Sequence, residues 1–337
     1  MHRGLFTFCQ VANTGIECYN QKDVHGGGCM ITTVCMNPCF DKTVEVDSFR
    51  MGEVNRIRNA RVDLGGKGIN VAVVLQRLGL DVQCIGTMGE NGAEQLSSLM
   101  EQENLKHHFL RVPGNVRTNL KVYSRDGKGV TELNEAGAAV DDSALDAFFS
   151  LAKEKTENSD IVVVTGSIPP QCPEGVYCRL MQALEGKKCI LDTEGKELEI
   201  GAKGAHPFLI KPNLHELEST LGTELRTMRA IRDAALIFIR LGVQHAVVSM
   251  GAMGAMYVSA EKTLFAPALR VDARSTVGAG DAMIGGMLYG YEKEKDMSKA
   301  FRYGIAAGAA SVMTEGTQLI IPSDFLKLLD QVRVQEV

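Results

Sequence analysis

The chain has 337 residues, a formal net charge of −5, 45% hydrophobic and 23% charged residues. That length holds one large α/β domain or two small ones. The acidic balance, with no Lys/Arg run, argues against non-specific nucleic-acid binding, and no stretch of ~18 uninterrupted apolar residues offers a membrane span.

Residues 1–29 show no sustained period and end in Gly26-Gly27-Gly28, a flexible break. They are too interrupted for a signal peptide and read as an appendage to a unit spanning 30–337. Nine cysteines are scattered in mostly apolar contexts, such as Val34-Cys35-Met36. An odd number so placed reads as buried free thiols of a reducing compartment, hence a cytoplasmic protein. Cys35-x3-Cys39 comes nearest to a zinc spacing, but no second pair accompanies it.

From Met30, β-rich runs alternate with helical patterns. The first strand opens at Ile31, and further strands are expected at Val82 to Gly86, Ile161 to Thr165, Lys188 to Asp192, Pro207 to Lys211 and Ala246 to Met250. Several are apolar throughout, as parallel strands covered on both faces should be. Between them, Val71, Val74, Leu75 and Leu78 make one helical stripe, Leu145, Phe148, Phe149 and Ala152 a second, and Ala234, Ile237, Phe238 and Leu241 a third. The alternation predicts an α/β fold with a doubly wound, mostly parallel sheet. Residues 39–64 and 116–133 break the rhythm with period-two patterns, the latter turning at Asp126-Gly127. They predict a small antiparallel β lid over the sheet's carboxyl end, with Val44, Val46, Leu120 and Val122 exposed and available to a second copy in a homodimer.

Three familiar signatures are absent: the P-loop, the dinucleotide glycine fingerprint and the nucleophile elbow. The strongest signal present is Ser275-Thr276-Val277-Gly278-Ala279-Gly280-Asp281-Ala282. Small residues at Gly278, Ala279 and Gly280 let backbone N–H groups approach an anion at the positive end of a new helix. Asp281 stands at that mouth, where a carboxylate can take the proton from an attacking hydroxyl. A second constellation, Gly65-Gly66-Lys67-Gly68-Ile69-Asn70, permits close approach of a sugar and supplies a charge and an amide there. In the third, Lys211-Pro212-Asn213-Leu214-His215-Glu216, Asn213 and Glu216 share one face of a first helical turn. They could orient hydrated Mg²⁺, or Glu216 could simply complement the helix N-terminus. Asp41, the Thr165-Gly166-Ser167 turn and Ser249-Met250-Gly251-Ala252-Met253-Gly254 are weaker, but all of them fall at carboxyl ends of expected strands.

Taken together, these motifs resemble the ribokinase-like (phosphofructokinase B) sugar kinase family, from Met30 to about Asp330. The resemblance implies ATP as phosphoryl donor, Mg²⁺, and a ketohexose phosphate as acceptor. It assigns Asp41, Gly66, Lys67, Asn70, Arg117 and Ser167 to the acceptor, with Arg117 gripping its phosphate. Lys211, Ser249, Gly251, Gly254 and Thr276 fall to the nucleotide, and Asn213 with Glu216 to the metal. Gly278 to Gly280 become the anion hole and Asp281 the base. Within the family, Gly52-Glu53-Val54-Asn55-Arg56 and Gly68-Ile69-Asn70-Val71-Ala72 are similar to the 1-phosphofructokinase branch, which converts D-fructose 1-phosphate to fructose 1,6-bisphosphate. Tagatose-6-phosphate and fructose-6-phosphate kinases share much of the pattern. A non-catalytic sugar-phosphate sensor would have no use for Asp281. One loop departs from the family: Glu194 stands where Ser is usual, in Asp192-Thr193-Glu194-Gly195.

Overall fold

A computed structural model describes residues 30–127, 129–316 and 318–337; the segment 1–29 read above as an appendage lies outside the described residues. The chain lays down β1 (Met30–Cys35), β2 (Cys39–Val46) and β3 (Ile57–Gly65), then α1 (Lys67–Arg77), β4 (Val82–Asn91), α2 (Ala93–Gln102) and β5 (Lys106–Asn115). Strands β6 (Arg117–Ser124) and β7 (Gly129–Asn134) follow with no helix between them. Alternation resumes with α3 (Asp142–Lys155), β8 (Ser159–Thr165), α4 (Val176–Ala183), β9 (Lys188–Asp192), α5 (Gly195–Ala205), β10 (Leu209–Ile210), α6 (Leu214–Leu221), α7 (Met228–Arg240) and β11 (His245–Ser249). Strands β12 (Ala255–Ser259) and β13 (Thr263–Ala266) precede α8 (Ala279–Glu294), α9 (Met297–Val312), α10 (Pro322–Leu329) and β14 (Gln335–Glu336).

Ten strands make the main sheet, in the order β14-β13-β12-β11-β10-β9-β8-β1-β4-β5. Strands β11 to β5 in that order run parallel, and β12, β13 and β14 add an antiparallel edge. The apolar runs behave as fully covered strands do: Ile161, Val162, Val163 and Val164 are all buried. One core lies under α1, α2, α8, α9 and α10, the other under α3 to α7. Helix α8 beds into the first core through glycines. A Cβ at Gly285 would collide with Val74 of α1, and one at Gly286 or Gly290 with Ala307 or Tyr303 of α9.

The stripes on α1 and α3 are the buried faces, but α7 differs by one residue. Ile231, Ala234, Ala235 and Phe238 are buried there, whereas Ile237 is 39% exposed. At 100° per residue Ile237 sits roughly 110° from the centre of that stripe, at the edge of the apolar arc.

Strands β2, β3, β6 and β7 form a separate four-stranded sheet, in the order β3-β2-β6-β7. The outer pairs are antiparallel and the central pair, β2 with β6, is parallel. A whole βαβ crossover separates those two strands, so no hairpin can join them. The expectation that Val44, Val46, Leu120 and Val122 face solvent is overturned. Val44, Val46 and Val122 are buried in a small cluster with the partly buried Phe49 and Leu120. The β2–β3 connection brings Phe49 onto them, its backbone N–H donating to Ser124 Oγ at 3.0 Å. The exposed apolar side chains of this sheet are Ile57, Val62, Tyr123, Val130 and Leu133. Among the described residues no helix is long and apolar enough to cross a membrane.

Candidate active site

From β1 the chain builds β4 and β5 on one side and β8 to β11 on the other. The connections diverge between β1 and β8, which opens a crevice at the carboxyl ends of those strands. The N-termini of α1, α6 and α8 bring their residues into it. At the α1 N-cap, Gly66 has φ +115°, and a Cβ there would lie 2.8 Å from Cys35 Sγ; one at Gly68 would lie 2.5 Å from the Val34 carbonyl oxygen. These two glycines therefore let α1 start hard against the end of β1. The space a Cβ would need at these positions is occupied by Cys35 and the Val34 carbonyl.

Asp281 occupies the first turn of α8, is buried, and accepts from Asn70 Nδ2 at 2.8 Å. Asp192, at the end of β9, is buried alongside it. Its Oδ2 lies 3.6 Å from Lys67 Nζ and 3.0 Å from Thr165 Oγ1, and its Oδ1 3.2 Å from Lys211 Nζ. Lys67 Nζ also lies 3.6 Å from Glu216 Oε1. Lys211 reaches the phosphate-loop side, for a Cβ at Gly280 would stand 2.9 Å from its Nζ. Burial, reinforced by the negative charge of Asp192, pushes the Asp281 carboxyl up from 3.8 to about 6, against Lys67, the Asn70 bond and Lys211. Burial likewise works to raise Asp192, but Lys211, Lys67 and Thr165 outweigh it and hold that carboxyl below its usual range. Asp192 above all, with Asp281, Glu216 and Glu194, keeps the Lys67 ammonium protonated well beyond its ordinary pKa, despite burial. The loop residue that departs from the family pattern thus adds its charge to this network. Gly278 caps α8 at φ +78°, and the N–H groups of the helix's first turn have no intrahelical acceptor. A carboxyl poised near neutrality beside two cations and such donors suits transfer of an anionic group to a hydroxyl.

The lid sheet supplies a second cluster. Arg117 donates through Nε to the Asn37 carbonyl at 3.1 Å, through Nη1 to Asn119 Oδ1 at 3.2 Å and through Nη2 to Ser167 Oγ at 3.3 Å. Among the described residues no carboxylate lies within ion-pair distance of it, which leaves a cation ready for an anionic ligand. Asp41, on β2, is buried. It accepts from Asn119 Nδ2 at 3.2 Å and from Lys121 Nζ at 2.9 Å.

Asn213 and Glu216 make a reciprocal capping box at the start of α6. Glu216 N–H donates to Asn213 Oδ1 and Asn213 N–H to Glu216 Oε2, both at 2.8 Å. Glu216 Oε1 is left pointing at Lys67. Among the described residues no group of three or more His, Cys, Asp or Glu is arranged to cage a metal. One carboxylate oxygen at the rim fits Mg²⁺, an ion held mainly by water and substrate phosphates.

The positions expected for the nucleotide lie farther out. Ser249 pairs with Asn213 as an isolated bridge, Gly251 opens a short 3₁₀ turn, and Thr276 is exposed. Gly254 has a packing reason of its own: a Cβ there would collide with the Ala266 carbonyl. Lys211 is the member of that set that reaches the Asp281 cluster. Residues 41, 117 and 167 gather at the lid, and 67, 70, 211, 216 and 281 around the crevice. Asp192, Thr165, Asn37, Asn119 and Lys121 join them; none had a role assigned from the sequence, although Thr165 and Asp192 lie in turns singled out there.

Known proteins resemble this chain over most of its length. Residues 35–324 match the profile described as pfkB family carbohydrate kinase. The 1-phosphofructokinase of Bacillus subtilis is 33% identical over 309 residues, covering 90% of this chain and 99% of that protein. That of Haemophilus influenzae is 34% identical, over 90% and 96%. Among solved structures, phosphofructokinase-2 from Escherichia coli in complex with substrates and products superposes with a TM-score of 0.84 at 28% identity, over 90% of this chain and 99% of that one. The buried aspartate at the α8 mouth, the two lysines beside it and the lid arginine lie within the matched residues 35–324, and on that match the chain belongs to the pfkB family of carbohydrate kinases.

Proposed function

We propose that the chain is an ATP-dependent 1-phosphofructokinase of the cytoplasm, converting D-fructose 1-phosphate to fructose 1,6-bisphosphate and ADP. The observation that carries this reading is the buried Asp281, held by Asn70 and pushed up to about 6, at the opening of a helix whose first-turn N–H groups have no intrahelical acceptor. Asp281 takes the proton of the 6-hydroxyl as that oxygen attacks the γ-phosphorus. The backbone N–H groups at Gly278 to Gly280, with Lys211 beside them, stabilise the charge on the transferring group. Arg117, bonded to Ser167, takes the phosphate already on the acceptor, and Asp41 accepts from its hydroxyls. Magnesium neutralises the β- and γ-oxygens when bound. Glu216 Oε1 would hold it, partly through water, with Lys67 3.6 Å from that oxygen.

Similarity to the bacterial 1-phosphofructokinases favours fructose 1-phosphate. Phosphofructokinase-2 from Escherichia coli has been solved in complex with fructose-6-phosphate, so that sugar is the second candidate. A coupled assay of ADP release over fructose 1-phosphate, fructose 6-phosphate, tagatose 6-phosphate and ribose decides between them. The expected result is the highest kcat/KM for fructose 1-phosphate. Turnover of ribose alone, or of none of the four, sinks the proposal.

A further inference from the structure

The lid carries a buried ion pair whose cation has no place in the mechanism above. Lys121 and Asp41 are both buried, with Nζ and Oδ2 2.9 Å apart. An ammonium taken out of water is costly unless it is paired, so Lys121 and Asp41 depend on each other for their place in the lid. Arg117, Asn119 and Lys121 occupy alternate positions on β6 and therefore share one face of the sheet. In register, Asp41 on β2 lies opposite Asn119. Hydrogen bonds make this face continuous. Arg117 donates to Ser167 and Asn119, Asn119 donates to Asp41 Oδ1 and Lys121 donates to Asp41 Oδ2. Among the described residues Asp41 is the one acceptor for the Lys121 ammonium, which has three N–H donors.

Building on the reading of the acceptor site above, we infer that Lys121 is a positioning residue for the acceptor sugar, acting through Asp41. Its ammonium donates to Asp41 Oδ2 and so fixes the carboxylate plane. Asp41 can then only accept, so it selects a ligand that presents hydroxyl donors at that end of the rail. Arg117 at the other end selects an anion. The rail thereby gives the acceptor a direction: phosphate towards Ser167 and Arg117, hydroxyls towards Asp41 and Lys121. A sugar phosphate bound the other way round would set its phosphate against Asp41, where like charges repel.

The test compares Lys121→Met, Lys121→Arg, Asp41→Asn and the double variant Asp41→Asn/Lys121→Met. It uses whichever of fructose 1-phosphate, fructose 6-phosphate and tagatose 6-phosphate the parent enzyme turns over fastest. Lys121→Met should raise the KM for that sugar at least tenfold while changing the KM for ATP less than twofold. Lys121→Arg should recover most of the loss. Because Lys121 acts through Asp41, the double variant should be no worse than Asp41→Asn alone. The double variant also removes both buried charges, and so tests the idea even if Lys121→Met fails to fold. Effects that multiply in the double variant, an equal rise in both KM values, or no change in Lys121→Met overturn the inference while leaving the kinase reading intact. A parent that turns over none of the three sugars overturns the sugar-phosphate reading itself, and the inference with it.

Discussion

Asn70 and Asp281, 211 residues apart in sequence, meet through a 2.8 Å hydrogen bond from Nδ2 to Oδ2. The bond joins the two glycine-rich elements, α1 and α8, at the carboxylate expected to accept the proton. It also leaves Asp281 Oδ1 free for a ligand hydroxyl.

Asp281→Asn keeps the size of the side chain and removes the base. We expect kcat to fall at least ~10²-fold, within the range for loss of general-base assistance, while both substrates still bind. Rapid-quench turnover with calorimetry on the same preparation checks it. Turnover within a few-fold of the parent would show that Asp281 is not the base.

The acid limb of the pH profile should belong to Asp281. The base works ionised and its folded pKa is about 6, so kcat/KM should rise with pH through that value and level off above it. The sign for stability is opposite. Between 3.8 and about 6 the folded state holds a proton that the unfolded state has released, so this group's contribution to stability falls as pH rises through that window. Lys67→Met removes a charge that favours the ionised form, and the limb should move to higher pH. A limb unmoved by this change would assign it to another group.

Arg117→Ala should raise the KM for the sugar phosphate about tenfold to a hundredfold, the equivalent of ~1.5–3 kcal/mol for hydrogen bonds to a charged group. The KM for ATP should stay near that of the parent. Steady-state kinetics with each substrate varied in turn tests this, and equal effects on both would place Arg117 elsewhere.

Glu216→Gln separates the two duties of that side chain. An amide can still complete the capping box, so the melting temperature should move little. The charge facing Lys67 is lost, so the Mg²⁺ concentration needed for half-maximal rate should rise several-fold. A large fall in melting temperature with an unchanged Mg²⁺ requirement would make Glu216 a structural cap alone.

The exposed apolar side chains of the lid place a homodimer on a different footing from the one its sequence offered. Val62 and Leu133 close the two ends of one cross-strand row that runs through Lys42 and Leu120. We expect a dimer through this face, and Val62→Glu with Leu133→Glu should shift sedimentation towards a monomer. Full activity from a monomeric parent at micromolar concentration excludes it.

The sheet was legible because parallel strands covered on both faces read as unbroken apolar runs, and Lys188 to Asp192 is β9 to the residue. Pro207 to Lys211 shrank to the two-residue β10, although the N–H groups of Phe208 and Lys211 on either side of it still donate to Cys189 and Leu191 of the neighbouring strand. The glycine-rich loops marked Asp281, Lys67 and Asn70. Nothing local distinguishes Asp192, a carboxylate closing an apolar strand, until two lysines distant in sequence arrive beside it. Asn119 and Lys121 did leave a trace: they continue from Arg117 at strand period, which alone puts all three on one face. The lid core was misread because alternation identifies a shared face without saying what covers it, and Phe49 arrives from an irregular connection.

The glycine contact between α8 and α1 ties chemistry to architecture. Gly285 meets Val74 one helical turn beyond the Asn70–Asp281 bond, with no room for even a methyl group between the helices. The separation of the two polar side chains is therefore set by backbone-to-side-chain contact in the core, where matter is packed as densely as in an organic crystal. An alteration buried there, well away from any ligand, would be felt as a slower enzyme as well as a less stable one.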